Sequence, residues 1–170
     1  MIVSVNEALR RVGEPFPFAW EGELPSETFG GDPVRFAGPG KISGAYVYDG
    51  KTFRVDADAE ASYETTCARC NRPMVKTLSF SFTERFVRSI YKTADDDLYP
   101  YEGEQLDLSE AFFDNLFLEM PMTVVCSESC KGLCPVCGAN LNHGQCSCQT
   151  HKIDARLSAL ESLLNDHKEV

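Results

Sequence analysis

The amino-acid sequence predicts an α+β protein, namely an antiparallel, β-rich domain with a long hairpin and a buried helix, followed by a small cysteine-rich zinc module and a C-terminal helix. Three patterns support this fold class. One stretch alternates strictly between apolar and polar residues, a second has the spacing of a largely apolar helix, and six cysteines fall between Cys126 and Cys148. With 170 residues and 43% hydrophobic content, the chain is long and apolar enough to bury a core.

The first fifty residues predict only short elements. A helix is expected over 6–12, and the apolar runs at 16–20 and 34–37 are interpreted as strands between turns rich in glycine and proline. This part of the chain therefore predicts β structure without fixing its topology.

The clearest β signal lies at residues 53–63. Every odd position from Phe53 to Tyr63 is apolar, whereas the even positions from Arg54 to Glu60 are charged. This period of two predicts a long strand with one buried face and one solvent-exposed face. A second strand is predicted over 78–86, so that the Cys67-Ala-Arg-Cys70 segment forms the tip of an antiparallel hairpin.

A buried helix is predicted after the hairpin. Residues 92–104, which include three consecutive aspartates, are expected to form a solvated loop. Asp107 is then expected to begin the helix in a capping box with Glu110, and Pro121 to end it. Apolar residues cover so much of this helix that it should pack across the sheet.

The C-terminal segment predicts an amphipathic helix that packs on its own domain or on a partner. Its apolar residues recur at helical spacing, namely Ile153, Leu157, Leu160 and Leu164. The chain is thus expected to comprise an α+β domain (1–125), a cysteine-rich zinc module (126–150) and this helix (151–170).

The cysteine-rich segment predicts a metal site. Between Cys126 and Cys148 there are too few large apolar side chains to form a core. The Cys-Pro-x-Cys-Gly motif at 134–138 presents two thiolates from one tight turn, as a tetrahedral zinc site requires. Disulfides fit less well, because eight cysteines are dilute in this chain and its N-terminus lacks a signal-peptide pattern. A cytoplasmic protein with one or two Zn²⁺ ions is expected.

Eight cysteines allow two four-cysteine sites. The preferred first site comprises Cys134, Cys137, Cys146 and Cys148, and a possible second site comprises Cys67, Cys70, Cys126 and Cys130. The alternatives are a site that combines Cys130 with Cys134 and Cys137, the substitution of His143 or His151 for a cysteine, and iron in place of zinc. Spacing alone does not choose among them.

Charge and motif content narrow the classes of function. The 16 basic and 26 acidic residues give a formal net charge of −10, which disfavours bare nucleic acid, since neutralisation of phosphates supplies most non-specific affinity. A basic partner is favoured instead. The sequence contains no zinc-hydrolase motif, P-loop or dinucleotide-binding turn and no segment of transmembrane length. We therefore expect no enzymatic activity, no small-molecule substrate and no membrane association.

Five motifs resemble one known family. They are Cys67-Ala-Arg-Cys70, Leu106-Asp-Leu-Ser109, Leu118-Glu-Met-Pro-Met122, Cys130-Lys-Gly-Leu-Cys-Pro-Val-Cys-Gly-Ala-Asn-Leu-Asn142 and Asp154-Ala-Arg-Leu-Ser-Ala-Leu160. In their order and content the chain resembles the YceD-type bacterial proteins for accumulation of large ribosomal subunit RNA. Ala155 departs from the pattern, because the family often has proline there.

The resemblance implies a non-enzymatic factor in biogenesis of the large ribosomal subunit. Its partners would be a large-subunit precursor, a basic ribosomal protein or rRNA. Arg69, Arg72 and Lys131 are candidate phosphate contacts, or else ordinary surface residues that keep the turns soluble. Two rival interpretations remain, a zinc-ribbon adaptor in transcription or protein quality control and a thiol or iron redox protein.

Overall fold

The computed structural model describes residues 1–93 and 97–149, so the helix predicted at 151–170 lies outside the described residues. The chain divides into two compact units. The first comprises Met1–Thr66 and Pro73–Val124, and the second comprises Cys67–Arg72 together with the chain from Val125 onward. The hairpin tip thus belongs to the same unit as the C-terminal cysteines.

The first unit contains nine strands and one α-helix among the described residues. They are β1 (Ile2–Ser4), β2 (Pro15–Glu23), β3 (Glu27–Phe29), β4 (Asp32–Val34), β5 (Pro39–Tyr48), β6 (Thr52–Thr66), β7 (Pro73–Arg88), β8 (Tyr99–Tyr101), β9 (Gln105–Asp107) and α1 (Ser109–Glu119). The main sheet has the order β2-β5-β6-β7-β8, while β1 pairs with β9 and β3 pairs with β4. All pairs are antiparallel except β7 with β8, so the main sheet is mixed.

The predicted long hairpin is confirmed as β6 and β7, which pair without interruption from Thr52 opposite Val87 to Thr66 opposite Pro73. The apolar face of β6 is buried as the alternation requires. Its central residues are small, and Ala57 and Ala59 lie opposite Phe82 and Phe80. Small and large side chains thus alternate between neighbouring strands on the buried face of the sheet.

Helix α1 packs against β7 and buries Ala111, Phe112, Phe113 and Leu116, while Leu118 near its end is exposed. The Phe112 ring lies 5.6 Å from the Phe80 ring, measured between centroids, and Phe112 and Leu116 are fully buried. The prediction of a buried helix is therefore confirmed. The capping box is wrong, because Asp107 ends β9 and the helix begins at Ser109. The Asp107 carboxylate instead accepts the backbone N–H of Ser109 at 3.0 Å.

Three other predicted elements differ from the structure. Only Ala8–Arg10 of the helix expected at 6–12 is helical, as a 3-10 turn, and the second short strand ends at Val34. The segment 92–104 is not wholly a solvated loop, because it contains β8. Tyr101 is 3% exposed, and its ring meets the Phe53 ring edge-to-face at 5.2 Å. Aromatic burial thus outweighs the acidity of the flanking residues.

The face of the main sheet opposite α1 is exposed and acidic. Asp56, Asp58 and Glu60 of β6 point to this side. Hydroxyls on β7 donate to the first two carboxylates, from Thr83 to Asp56 at 2.8 Å and from Ser81 to Asp58 at 2.7 Å. These bonds hold a row of carboxylates in fixed positions along the strand. We call this surface the open face.

Within residues 1–93 and 97–149 we find no helix with the length and hydropathy that crossing a bilayer requires.

Gly44 provides a test of the sheet packing. A Cβ atom at this position would collide with the backbone oxygen of Asp56 and would lie 2.8 Å from the Cα atom of Ala57. We expect Gly44→Ala to lower the free energy of unfolding by about 1–3 kcal/mol, because β5 and β6 must separate locally. Urea unfolding measures this change. The neighbouring exposed substitution Ser43→Ala is the control and should change stability by less than about 0.5 kcal/mol. Equal stability of the two variants would contradict the packing argument.

Candidate metal centre

The second unit brings the eight cysteines into two groups of four. We call Cys67, Cys70, Cys126 and Cys130 the tip cluster, and Cys134, Cys137, Cys146 and Cys148 the module cluster. Within each cluster all sulfur atoms lie within 4.8 Å of one another. The tip cluster unites two segments that are more than fifty residues apart in the sequence.

The geometry of the tip cluster fits a tetrahedral zinc site. Four sulfurs at 2.3 Å from one Zn²⁺ ion would lie about 3.8 Å from each other. The Sγ atoms of Cys67 and Cys130 are 3.9 Å apart, and those of Cys70 and Cys126 are 3.7 Å apart. The side chains are therefore already spaced for such an ion, and a set of four thiolates is typical of structural zinc.

The two Cys-x-x-Cys turns have the same backbone hydrogen bonds. In the tip cluster, the N–H of Cys67 donates to Arg72 O at 2.9 Å and that of Asn71 donates to Cys67 O at 2.8 Å. In the module cluster, Cys134 donates to Ala139 O at 2.8 Å and Gly138 donates to Cys134 O at 2.9 Å. Two unrelated stretches of sequence thus form the same turn.

This turn requires a left-handed residue directly after its second cysteine. Asn71 has φ 55° and Gly138 has φ 74°. Glycine adopts this conformation without strain, and asparagine does so more readily than other residues with a side chain. The motifs Cys-x-x-Cys-Asn and Cys-x-x-Cys-Gly therefore encode the same local geometry.

Neighbouring thiols of the tip cluster differ in how readily they ionise: the pKa is lowered for Cys67 and Cys130 and raised for Cys70 and Cys126. Burial opposes ionisation of Cys67, but N–H groups of Cys126, Cys70 and Arg69 donate to its sulfur and lower its pKa to about 6. Contact with the Cys130 sulfur, and then burial, raise the pKa of Cys126 to about 12. Four adjacent thiols cannot all carry a charge alone, so a divalent cation would be needed for all four to bind as thiolates.

The module cluster has the same electrostatic pattern. N–H groups of Cys137 and Val136 lower the pKa of Cys134 to about 6. Contact with the Cys137 sulfur, followed by burial, raises the pKa of Cys148 to about 12. The two clusters differ in accessibility, because Cys137 is exposed whereas Cys67, Cys70 and Cys130 are buried. A metal ion in the module cluster would be closer to solvent.

The predicted basic contacts differ in their surroundings. The guanidinium group of Arg69 donates through Nη1 to the carbonyl oxygens of Glu128 and Cys130, both at 3.0 Å. Arg69 thus joins the hairpin turn to the segment between Cys126 and Cys130. All three side chains are exposed, so it is these two hydrogen bonds that set Arg69 apart. We infer that Arg69 has a structural role, which its sequence context did not indicate.

The structure also bears on the other groupings of ligands that the sequence allowed. Cys130 groups with Cys67, Cys70 and Cys126 rather than with Cys134 and Cys137, and neither cluster includes His143. His151 lies outside the described residues. Sequence analysis missed Asn142, whose Nδ2 donates to the Cys130 sulfur at 3.4 Å. Its place at the end of the motif from Cys130 to Asn142 was a signal that could have drawn attention to it.

We expect two equivalents of zinc per chain in untagged protein. The paired substitutions Cys67→Ser with Cys70→Ser, and Cys134→Ser with Cys137→Ser, should each remove one equivalent, because each pair supplies half the ligands of one cluster. Elemental analysis after removal of loosely bound metal measures this. His143→Ala should retain both equivalents. One equivalent or fewer in the wild type would contradict the two-site arrangement.

Arg69 and Arg72 form a matched pair for testing the structural role. Arg69→Gln removes two charge-assisted hydrogen bonds to backbone oxygens, so we expect a loss of about 1–3 kcal/mol in stability and faster removal of metal by a chelator. Arg72→Gln should stay within about 0.5 kcal/mol of wild type. Thermal unfolding and the kinetics of chelation measure both effects. Indistinguishable behaviour of the two variants would show that Arg69 does not secure the tip cluster.

Comparison with known proteins identifies relatives on this part of the chain. A family model described as "Large ribosomal RNA subunit accumulation protein YceD" matches residues 55–164. An Arabidopsis thaliana protein named "Large ribosomal RNA subunit accumulation protein YCED homolog 1, chloroplastic" is 37% identical over 65 residues, which are 38% of this chain and 20% of that protein. This chain therefore spans only a fifth of the length of that relative.

Two bacterial relatives carry no functional name. An uncharacterized protein of Mycobacterium tuberculosis is 34% identical over 79 residues, or 44% of this chain and 38% of that protein. The uncharacterized protein YlbN of Bacillus subtilis is 25% identical over 158 residues, or 92% of each chain. No solved structure matches the chain significantly. Because residues 55–164 are more than half of the chain, this protein belongs to the YceD family of large ribosomal RNA subunit accumulation proteins.

Proposed function

We propose that this protein is a non-enzymatic factor that supports accumulation of large-subunit rRNA, and that it does so by binding a basic ribosomal protein or a pre-ribosomal particle that exposes one. The match of residues 55–164 to the YceD family carries this proposal. The name of the Arabidopsis relative points the same way. The charge distribution supports a basic protein, rather than naked rRNA, as the direct partner.

The open face supplies the complementary surface. A shallow groove of about 750 Å³ runs across β2, β5 and β6 on this side of the sheet. Glu21, Asp58 and Glu60 line it together with Lys41, whose Nζ lies 3.9 Å from a carboxylate oxygen of Glu21, and with the small residues Ala19 and Ser43. Three carboxylates against one lysine leave a surplus of negative charge, which suits an extended segment whose lysine and arginine side chains reach the acids.

The acidic charge of the whole protein favours the same class of partner. At a net charge of −10, long-range electrostatics attract a basic protein and repel phosphate. Zinc bound by four thiolates would add two further negative charges at each cluster. The proposed metal ions therefore serve folding of the second unit, and they do not create a cationic surface for RNA.

One test of the proposed function measures ribosomal RNA in cells. We expect deletion of the gene to lower the ratio of large- to small-subunit rRNA and to deplete large subunits in a ribosome gradient. Re-expression of the wild-type gene is the control. An unchanged ratio and a normal gradient, both in the cold and during fast growth, would remove support for a ribosomal role and favour the adaptor interpretation.

Another test of the proposed function reverses charges on the open face. We expect Asp58→Lys with Glu60→Lys to abolish recovery of basic large-subunit proteins in a pull-down and to lower large-subunit rRNA, because two attractive charges become repulsive. Glu102→Lys with Glu104→Lys is the control, with the same charge change in the exposed turn between β8 and β9. Equal loss in both variants would mean that net charge, not this face, decides binding. Recovery of naked rRNA without ribosomal protein, surviving moderate salt, would contradict the proposed partner.

A further inference from the structure

The two cysteine clusters are connected through one side chain, that of Asn142. In the sequence Asn142 lies between Cys137 and Cys146, inside the loop that the module cluster closes. Its Nδ2 atom nevertheless donates to the sulfur of Cys130, a member of the tip cluster, at 3.4 Å. Its Oδ1 atom accepts the backbone N–H of Lys131 at 2.8 Å. One amide thus contacts both a sulfur of the other cluster and the residue that follows it.

The orientation of this amide is fixed. Asn140 Oδ1 accepts from Asn142 twice, from the backbone N–H at 3.0 Å and from Nδ2 at 2.8 Å. In this orientation Oδ1 accepts from the N–H of Lys131 and Nδ2 faces the sulfur. Both hydrogens on Nδ2 then have partners, one on Cys130 and one on Asn140. A flipped amide would lose these bonds.

The backbone between the clusters is equally constrained. Only three residues separate Cys130 from Cys134. The N–H of Leu133 donates to Arg69 O at 3.1 Å, on the side of the hairpin turn, while Leu141 donates to Gly132 O at 2.9 Å, on the side of the module loop. Gly132 has φ 75°, and a Cβ atom there would lie 3.0 Å from Arg69 O. These contacts restrain the backbone of the three-residue segment that links the two clusters.

These contacts depend on order in the loop after Gly138. Metal binding by Cys134, Cys137, Cys146 and Cys148 would close this loop and so reduce the conformational freedom of Asn142. Without that closure, the donor to the Cys130 sulfur would have to be ordered at a cost in entropy. Hydrogen bonds to ligating atoms typically change metal affinity 10–100-fold when they are removed.

We propose that the clusters bind zinc cooperatively, and that Asn142 is the positioning residue through which occupancy of the module cluster raises the affinity of the tip cluster. This inference rests on the proposed binding of zinc by both clusters. Because coupling between binding sites is reciprocal, occupancy of the tip cluster must raise the affinity of the module cluster by the same factor.

Competition between the full-length protein and a chromophoric chelator, with Zn²⁺ as the probe, measures the affinity of the tip cluster. The module cluster is disabled by Cys137→Ser with Cys148→Ser, which alters its more accessible ligands. We expect this change and Asn142→Ala each to weaken binding at the tip cluster by about tenfold or more. In the combined variant, Asn142→Ala should add less than about threefold, because its effect already depends on the missing closure. His143→Ala, in the same loop, should leave the affinity unchanged.

A spectroscopic readout separates a sulfur contact from a general loss of folding. With Co²⁺ in place of Zn²⁺, removal of a hydrogen bond from a thiolate should shift the sulfur-to-cobalt charge-transfer band to lower energy. We expect this shift in Asn142→Ala at full cobalt occupancy, with tetrahedral coordination retained. Asn142→Asp keeps the acceptor for Lys131 but places a carboxylate near the sulfur, so it should weaken metal binding more than alanine does.

The possible outcomes distinguish this inference from the proposals on which it rests. Two zinc ions bound with unchanged tip-cluster affinity in Asn142→Ala would overturn the coupling while leaving both metal sites intact. Additive effects of Asn142→Ala and the cysteine pair would also overturn it. Fewer than two zinc ions in the wild type would refute the metal proposal itself. None of these measurements depends on the rRNA phenotype, which tests the cellular function separately.

Discussion

The register of the β6–β7 hairpin is the constraint on which the rest of the first unit depends. Since side chains alternate between the two faces of a strand, a slip of one residue would expose Phe53 and bury Asp56. The observed pairing prevents this, because it places alanines opposite phenylalanines on one side and carboxylates opposite hydroxyls on the other. A single ladder thus determines both the buried face that α1 covers and the acidic open face. The surface proposed to bind a partner follows from the same pattern that forms the core.

The same ladder determines where the hairpin turns. Its last pair is Thr66 with Pro73, so the six residues from Cys67 to Arg72 must reverse the chain. Asn71 makes this reversal possible through its left-handed backbone, and the turn brings the sulfurs of Cys67 and Cys70 into one cluster. Two distant parts of the sequence, the hairpin tip and the segment around Cys130, can therefore share one metal ion. A metal ion bound there would add its binding free energy to folding, because the four thiolates come together only in the folded chain.

The features that the sequence predicted are those with a simple local signal. Alternation over residues 53–63 predicted β6, and dense apolar content predicted α1, because both patterns repeat with the period of the element. The start of α1 was misplaced because Asp107 pairs with Ile2 in the β1–β9 ladder, a contact that no local pattern encodes. Strand β8 was missed for the same reason, since it is stabilised by burial of Tyr99 and Tyr101 against distant rings. Its parallel pairing with β7 likewise joins residues that no short motif connects.

In the candidate metal centre, too, the sequence predicted what short motifs encode and missed contacts between distant segments. Motif spacing identified the ligand types, whereas the contacts of Arg69 and Asn142 depend on residues brought together from separate segments. Both of these side chains contact the backbone or the sulfur of Cys130, the tip-cluster cysteine that is nearest in sequence to the module cluster. Cys130 is therefore the residue at which contacts from the hairpin tip and from the module loop meet. The contacts of Arg69 and Asn142, together with the proposed metal ions, would hold in one conformation a segment that has few apolar side chains.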